Sequence, residues 1–196
     1  MSVDRNPKVS YHIGDSILGR LLIAATSKGL CGLMWGDSDR ELLEALAGRF
    51  GRCTLLHSLE NPQQWSEPVN RYLNGEPVDL SFLLDQEGTD FQRTVWARIQ
   101  TIPLGWTLTY ANLATILGHP GSARAVANAC AANFVALVIP CHRVIRSNGG
   151  LGGYRWGLQR KRRLLSLEAS MAGEKPWNLP PPAETEQAST IVPHPL

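Results

Sequence analysis

TYANLATILGHPGSARAVANACAAN, residues 109–133, is the stretch on which the fold turns. Thr109 caps a short helix predicted from Tyr110 to Leu117. Gly118-His119-Pro120-Gly121 then breaks the chain, and Ser122 caps a second helix, rich in alanine, to about Ala132. Two short helices joined by a Gly/Pro turn fit a helix-turn-helix. The alanines let helix backbones approach each other, or approach a narrow groove.

Just downstream, the apolar run Val135–Pro140 leads into Pro140-Cys141-His142-Arg143-Val144. A thiol reacts as its thiolate, and a nearby base or cation lowers its pKa. Cys141 beside His142 and Arg143 is therefore a candidate reactive thiol; alternatively it is a buried packing cysteine. Ser147-Asn148-Gly149-Gly150 signals a turn. A last helix is predicted from about Gly157 to Ser170, with Arg160, Lys161, Arg162 and Arg163 as a solvated or phosphate-facing run. Upstream, Thr89 or Asp90 caps a helix to Gln100, with Phe91, Val95, Trp96 and Ile99 at helical spacing.

The first segment reads as a small α/β domain. Val9–Gly14, Arg20–Thr26 and Leu30–Trp35 are apolar runs separated by glycines, the pattern of an antiparallel strand set. Helices are predicted from Asp37 or Ser38 to Phe50 and from Pro62 to Leu73. Leu80–Leu84 is predicted as a last strand and Glu87-Gly88 as a linker. The expected organisation is an α/β domain over 1–88, a mostly helical domain over 89–172, and a proline-rich, disordered tail over 173–196.

Charge follows this division. Residues 1–88 hold eight Lys/Arg against twelve Asp/Glu, a net of −4. Residues 89–172 hold ten against two, a net of +8, and residues 173–196 one against three, a net of −2. The basic middle segment is the part that would meet a polyanion. The four cysteines, Cys31, Cys53, Cys130 and Cys141, match neither a disulfide framework nor a zinc-ligand spacing, so no metal is expected. The opening MSVDRNPKVS lacks the apolar core of a secretory signal, and no apolar run is long enough for a membrane span. A cytoplasmic, reducing location follows as an expectation.

An ordered set of motifs over residues 89–170 strongly resembles the O6-alkylguanine-DNA alkyltransferase (methylated-DNA–protein-cysteine methyltransferase) family, nearest to the C-terminal half of the Ada adaptive-response branch. They are Thr89-Asp90-Phe91-Gln92, Thr109-Tyr110, Ala123-Arg124-Ala125-Val126, Ala131-Ala132-Asn133, Ile139-Pro140-Cys141-His142-Arg143-Val144 and Gly153-Tyr154-Arg155-Trp156-Gly157. Residues 9–88 resemble that family's variable N-terminal domain more weakly.

The resemblance implies a ribonuclease-H-like α/β domain followed by a winged-helix domain. It implies a single-turnover transfer of methyl from O6-methylguanine, and from O4-methylthymine, in double-stranded DNA. No cofactor is implied, and a monomer is expected. Cys141 is implied as the nucleophile, His142 as the base acting through a water, Glu168 as its orienting carboxylate, Asn133 as the residue fixing the turn, and Tyr110 as donor to the guanine leaving group. Val144 and Tyr154 would read the base through their backbone. Arg124 would replace the flipped nucleotide, Ser122 and Ala123 would keep the recognition helix slim, and Arg143 would face DNA. Trp156, bulky where members tolerant of large adducts carry glycine, implies a tight pocket that prefers methyl to benzyl. The alternative is a non-catalytic winged-helix protein that senses damage or regulates transcription; the presence of Cys141 argues against it.

Overall fold

The computed structural model describes residues 7–57 and 60–173, and the backbone of 192–193. The chain divides into two compact units, Met1–Glu87 together with Phe134–Val138, and Gly88–Asn133 together with Ile139–Leu196.

In the first unit, β1 (Lys8–Ser16), β2 (Gly19–Thr26) and β3 (Gly29–Gly36) form two antiparallel hairpins. The first turn is tied by the Ser16 hydroxyl, which accepts from Leu18 N at 3.2 Å and donates to Gly19 O at 2.8 Å. Leu21 to Ala25 and Leu30 to Trp35 are buried as unbroken runs, so both strands are covered on both faces. α1 (Asp39–Phe50) is capped by the Ser38 hydroxyl, which accepts from Glu41 N, and buries Leu42 and Leu46. α2 (Gln63–Leu73) carries Pro68 in its interior and buries Val69, Tyr72 and Leu73.

Two expectations for this unit need correction. The sheet is mixed: β4 (Thr54–Leu56) pairs parallel to β1, giving the order β3-β2-β1-β4. Three residues are too few for periodicity to reveal. Conversely, Leu80–Leu84 is not a strand. Its backbone donors go to local bonds, Ser81 N to the Asp79 carboxylate and Phe82 N to Leu80 O. A single bridge joins Leu84 to Leu30, and Leu83 is 76% exposed. Phe134–Val138 supplies another single bridge, Val135 to Leu33, with Leu33 N donating to Phe134 O at 2.9 Å. Leu137 sits there at φ 67°, a left-handed conformation that costs a branched residue about 1 kcal/mol or more.

In the second unit, α3 (Asp90–Gln100) begins with a reciprocal cap: Gln92 N donates to the Thr89 hydroxyl, and Thr89 N to the Gln92 side chain. It buries Val95, Trp96 and Ile99, and Trp96 Nε1 donates to Ala129 O at 2.8 Å. β5 (Trp106–Thr109) leads directly into α4 (Tyr110–Ile116), whose cap is the Thr109 hydroxyl. Gly118 and Gly121, at φ 77° and 87°, make the turn to α5 (Ala123–Ala131). Ser122 occupies the cap position, but its side chain makes no capping bond. A single 3₁₀ turn, Cys141–Arg143, runs into β6 (Val144–Ile145), which pairs parallel to β5. α6 (Leu158–Met171) follows. β7 (Val192–Pro193) adds an antiparallel strand to β5, so the small sheet has the order β6-β5-β7. The expectation of a tail over 173–196 otherwise lies outside the described residues, apart from Gly173.

Gly29 marks the tightest backbone approach in the first unit. A Cβ there would collide with the Leu83 carbonyl oxygen, at a φ of 151°. Gly29→Ala is expected to lower the urea unfolding free energy by about 2 kcal/mol, read from the shift in denaturation midpoint.

Candidate active site

Every part of the site comes from the second unit. α5 ends at Ala131, and the buried Asn133 follows. Its amide donates to Ile139 O at 2.9 Å and to Cys141 Sγ at 3.3 Å. One side chain therefore ties the chain on both sides of 134–138 and holds the sulfur. The 3₁₀ turn then places Cys141 and His142 inward, 4% and 0% exposed.

His142 Nε2 lies 2.7 Å from Glu168 Oε1 on α6, with both side chains fully enclosed. Arg143 closes on the same carboxylate from the other side, Nε to Oε2 at 2.8 Å and Nη2 to Oε1 at 3.0 Å, while Nη1 donates to Ile102 O. Burial pushes Glu168 up, but His142 and then the two-point Arg143 contact outweigh it and hold the carboxyl well below its ordinary range. Burial also pushes His142 down, against the pull of Glu168, so the imidazole is neutral. An ionised carboxylate only accepts, so the proton sits on Nε2. Nδ1 is left as a lone-pair acceptor, buried and without a hydrogen-bond partner among the described residues. That is the form a general base requires.

The sulfur opens into a cleft of about 360 Å³ lined by Tyr110, Cys130, Cys141, Arg146, Gly153 and Tyr154, among others. Burial raises the Cys141 thiol, while the Asn133 amide and the Lys161 ammonium act the other way. Tyr110 is also raised, by burial first and then by Cys130 and Cys141, so its hydroxyl keeps its proton; it donates to Gly153 O at 3.5 Å. Gly152 makes room for that ring, since a Cβ there would lie 2.8 Å from Tyr110 Cε2. The Tyr154 hydroxyl is enclosed, and its ring stands edge-on to His142 and to Trp156, at 6.4 and 5.1 Å between centroids.

Several assignments made from sequence change. Arg143 does not face DNA: its side chain is 11% exposed and clamps Glu168. Trp156 is buried behind Tyr154 and does not line the cleft. Val144 is wholly buried, also off the cleft, and its carbonyl accepts from Lys161 Nζ at 2.6 Å. Arg124, by contrast, is exposed at the first turn of α5, beside Ser122 and Ala123.

Lys161 is the residue that sequence reading missed. It belongs to no solvated run: it is 0% exposed, and its ammonium donates to the carbonyls of Val144, Leu151 and Gly153. Burial lowers it to about 8. The signal lay in spacing, because Lys161, Leu164, Leu165 and Glu168 fall on one face of α6 and all are buried. Arg146, Arg155 and Cys130 also line the cleft, and sequence reading assigns none of them a part in the site.

Two outcomes follow for this site. Glu168 is depressed on folding, so its stabilisation is present above the ordinary value of 4.5 and fades as pH falls below it. Glu168→Gln should cost about 3 kcal/mol near neutral pH. The gap from the parent protein should narrow in denaturation curves taken progressively below pH 4.5. Lys161→Met strands three carbonyls, and amide exchange across 144–153 should quicken by at least about tenfold.

Residues 90–170 match the family described as 6-O-methylguanine DNA methyltransferase, DNA binding domain. Residues 9–86 match 6-O-methylguanine DNA methyltransferase, ribonuclease-like domain. The bifunctional transcriptional activator/DNA repair enzyme Ada of Escherichia coli is 43% identical over 164 residues, covering 84% of this chain and 46% of Ada. The chain thus spans about half the length of that relative. The methylated-DNA–protein-cysteine methyltransferase of Mycobacterium tuberculosis is 47% identical over 167 residues, covering 84% of this chain and 94% of the relative. Among solved structures, the M. tuberculosis O6-methylguanine methyltransferase is similar with a TM-score of 0.68 at 36% identity, over 83% of this chain and 94% of that one. The M. tuberculosis protein in complex with DNA is similar with a TM-score of 0.68 at 34% identity, over 84% and 94%.

Proposed function

The chain belongs to the O6-methylguanine-DNA methyltransferase family, and on that premise we propose that it repairs alkylated DNA by drawing a methyl group onto its own Cys141. The substrate is O6-methylguanine in double-stranded DNA, with O4-methylthymine as a second lesion. The observation that carries the reading is the buried chain Cys141, His142, Glu168 and Arg143, opening into a cleft beside Tyr110 in the unit that holds the helix-turn-helix.

His142 Nδ1 takes the Cys141 proton through a bridging water, and the resulting imidazolium is stabilised by Glu168. The thiolate then displaces guanine at the methyl carbon. The S–C bond forms as the O–C bond breaks, and the electron pair leaves with the base. Tyr110, kept protonated by burial, donates to the departing guanine. The alkylated oxygen lies inside the duplex, so the nucleotide must be extruded. Arg124 fills the gap, and Ala123 on the slim N-terminal turn of α5 lets the helix enter the minor groove. Arg146 and Arg155 at the cleft supply local positive charge toward the backbone. No turnover follows, because a thioether offers no leaving group.

The protein acts as a monomer, cytoplasmic and nucleoid-associated when bound to DNA; no described helix is long and apolar enough to cross a membrane. The cleft, near the lower bound of ligand pockets, suits methyl better than benzyl adducts.

Incubation with DNA carrying radiolabelled O6-methylguanine should load one methyl per molecule and then stop, with Cys141→Ala silent. Tight lesion binding without transfer would place the protein instead among non-catalytic damage sensors.

A further inference from the structure

The first unit is acidic overall, yet four of the eight Lys/Arg among residues 1–88 line one cavity there. It measures about 480 Å³, and its charged walls are Lys8, Lys28, Arg49, Arg52, Asp85 and Glu87. Lys8 apart, three cations face these two carboxylates. Asp85 already accepts from the Thr26 hydroxyl at 2.5 Å, and Glu87 meets Arg49 through its backbone carbonyl, at 2.7 Å. Among the described residues, Lys28, Arg49 and Arg52 form no ion pair with a carboxylate.

Arg49 is the most telling. Its guanidinium lies over the rings of Phe50 and Phe134, at 5.7 and 5.4 Å from their centroids, which fixes it in place. Its Nε is buried without a hydrogen-bond partner among the described residues. A buried cationic donor left unsatisfied costs more than a satisfied one contributes. Like charges gathered into a concavity repel unless an anion joins them.

We infer that this cavity is a binding site for a compact phosphate-bearing anion. Arg49, preset by its two aromatic neighbours, supplies directed N–H donors, while Lys28 and Arg52, on the exposed rim, close on the charge. The site belongs to the first unit alone and takes no part in methyl transfer. Cys53, half-buried in the same wall, serves as a built-in reporter.

The test uses the full chain and inorganic pyrophosphate. Calorimetry should show one saturable site, weakened by at least about tenfold in Lys28→Glu/Arg52→Glu and unchanged in the control Arg40→Glu. Pyrophosphate should also slow iodoacetamide labelling of Cys53, mapped by peptide mass, with transfer to Cys141 unaffected in the double variant. Equal weakening in Arg40→Glu would reduce the cavity to general surface charge. Unslowed Cys53 labelling would overturn the site. Displacement of pyrophosphate by undamaged duplex would overturn it too, by assigning these cations to the DNA backbone.

Discussion

The Glu168 carboxylate is fully enclosed and still ionised, and the site is arranged around keeping it so. Removing a carboxylate from water costs several kcal/mol unless cations and donors surround it. Arg143 meets that need with two bonds, and His142 spends its Nε2 proton on the remaining side. The consequence reaches the sulfur: with Nε2–H committed, only Nδ1 is left to accept a proton. Adjacent residues in one 3₁₀ turn thus take opposite parts, one holding the charge and the other using it.

Much of this was legible in the sequence. The three hairpin strands, the capped helices and the helix-turn-helix follow from glycine punctuation, cap residues and apolar spacing, which are local signals. Cys141 meets Asn133, His142 meets Glu168, and Tyr110 lines the cleft beside Cys141, all at positions the motifs pick out. What failed was non-local. Arg143 carries the same charge whether it faces DNA or clamps a buried acid, and only the position of Glu168 decides between them. Lys161 sits within an Arg/Lys run that reads as solvated, yet helix phase turns it inward between its exposed neighbour Arg162 and the half-buried Arg160. β4 and Leu80–Leu84 exchanged roles because pairing, not composition, makes a strand.

The two units solve opposite electrostatic problems. The second, strongly basic, buries its functional charges in pairs and leaves Arg124 out on the surface. The first, acidic overall, gathers half of its cations around one hollow. Net charge per segment anticipated the first arrangement and hid the second, since a local cluster of one sign disappears in a sum dominated by the other.

α6 carries Lys161 and Glu168 on one buried face, two turns apart. The first grips the loop carrying Leu151 and Gly153, and the second orients the base. Each inserted or deleted residue rotates everything beyond it by about 100°. A one-residue change in length between them would therefore swing one of these groups out of the site even if every side chain were retained. The outward positions Arg162, Arg163 and Ser166 are free of that constraint. Over evolutionary time this helix should drift readily in its outer composition while its length between positions 161 and 168 stays fixed.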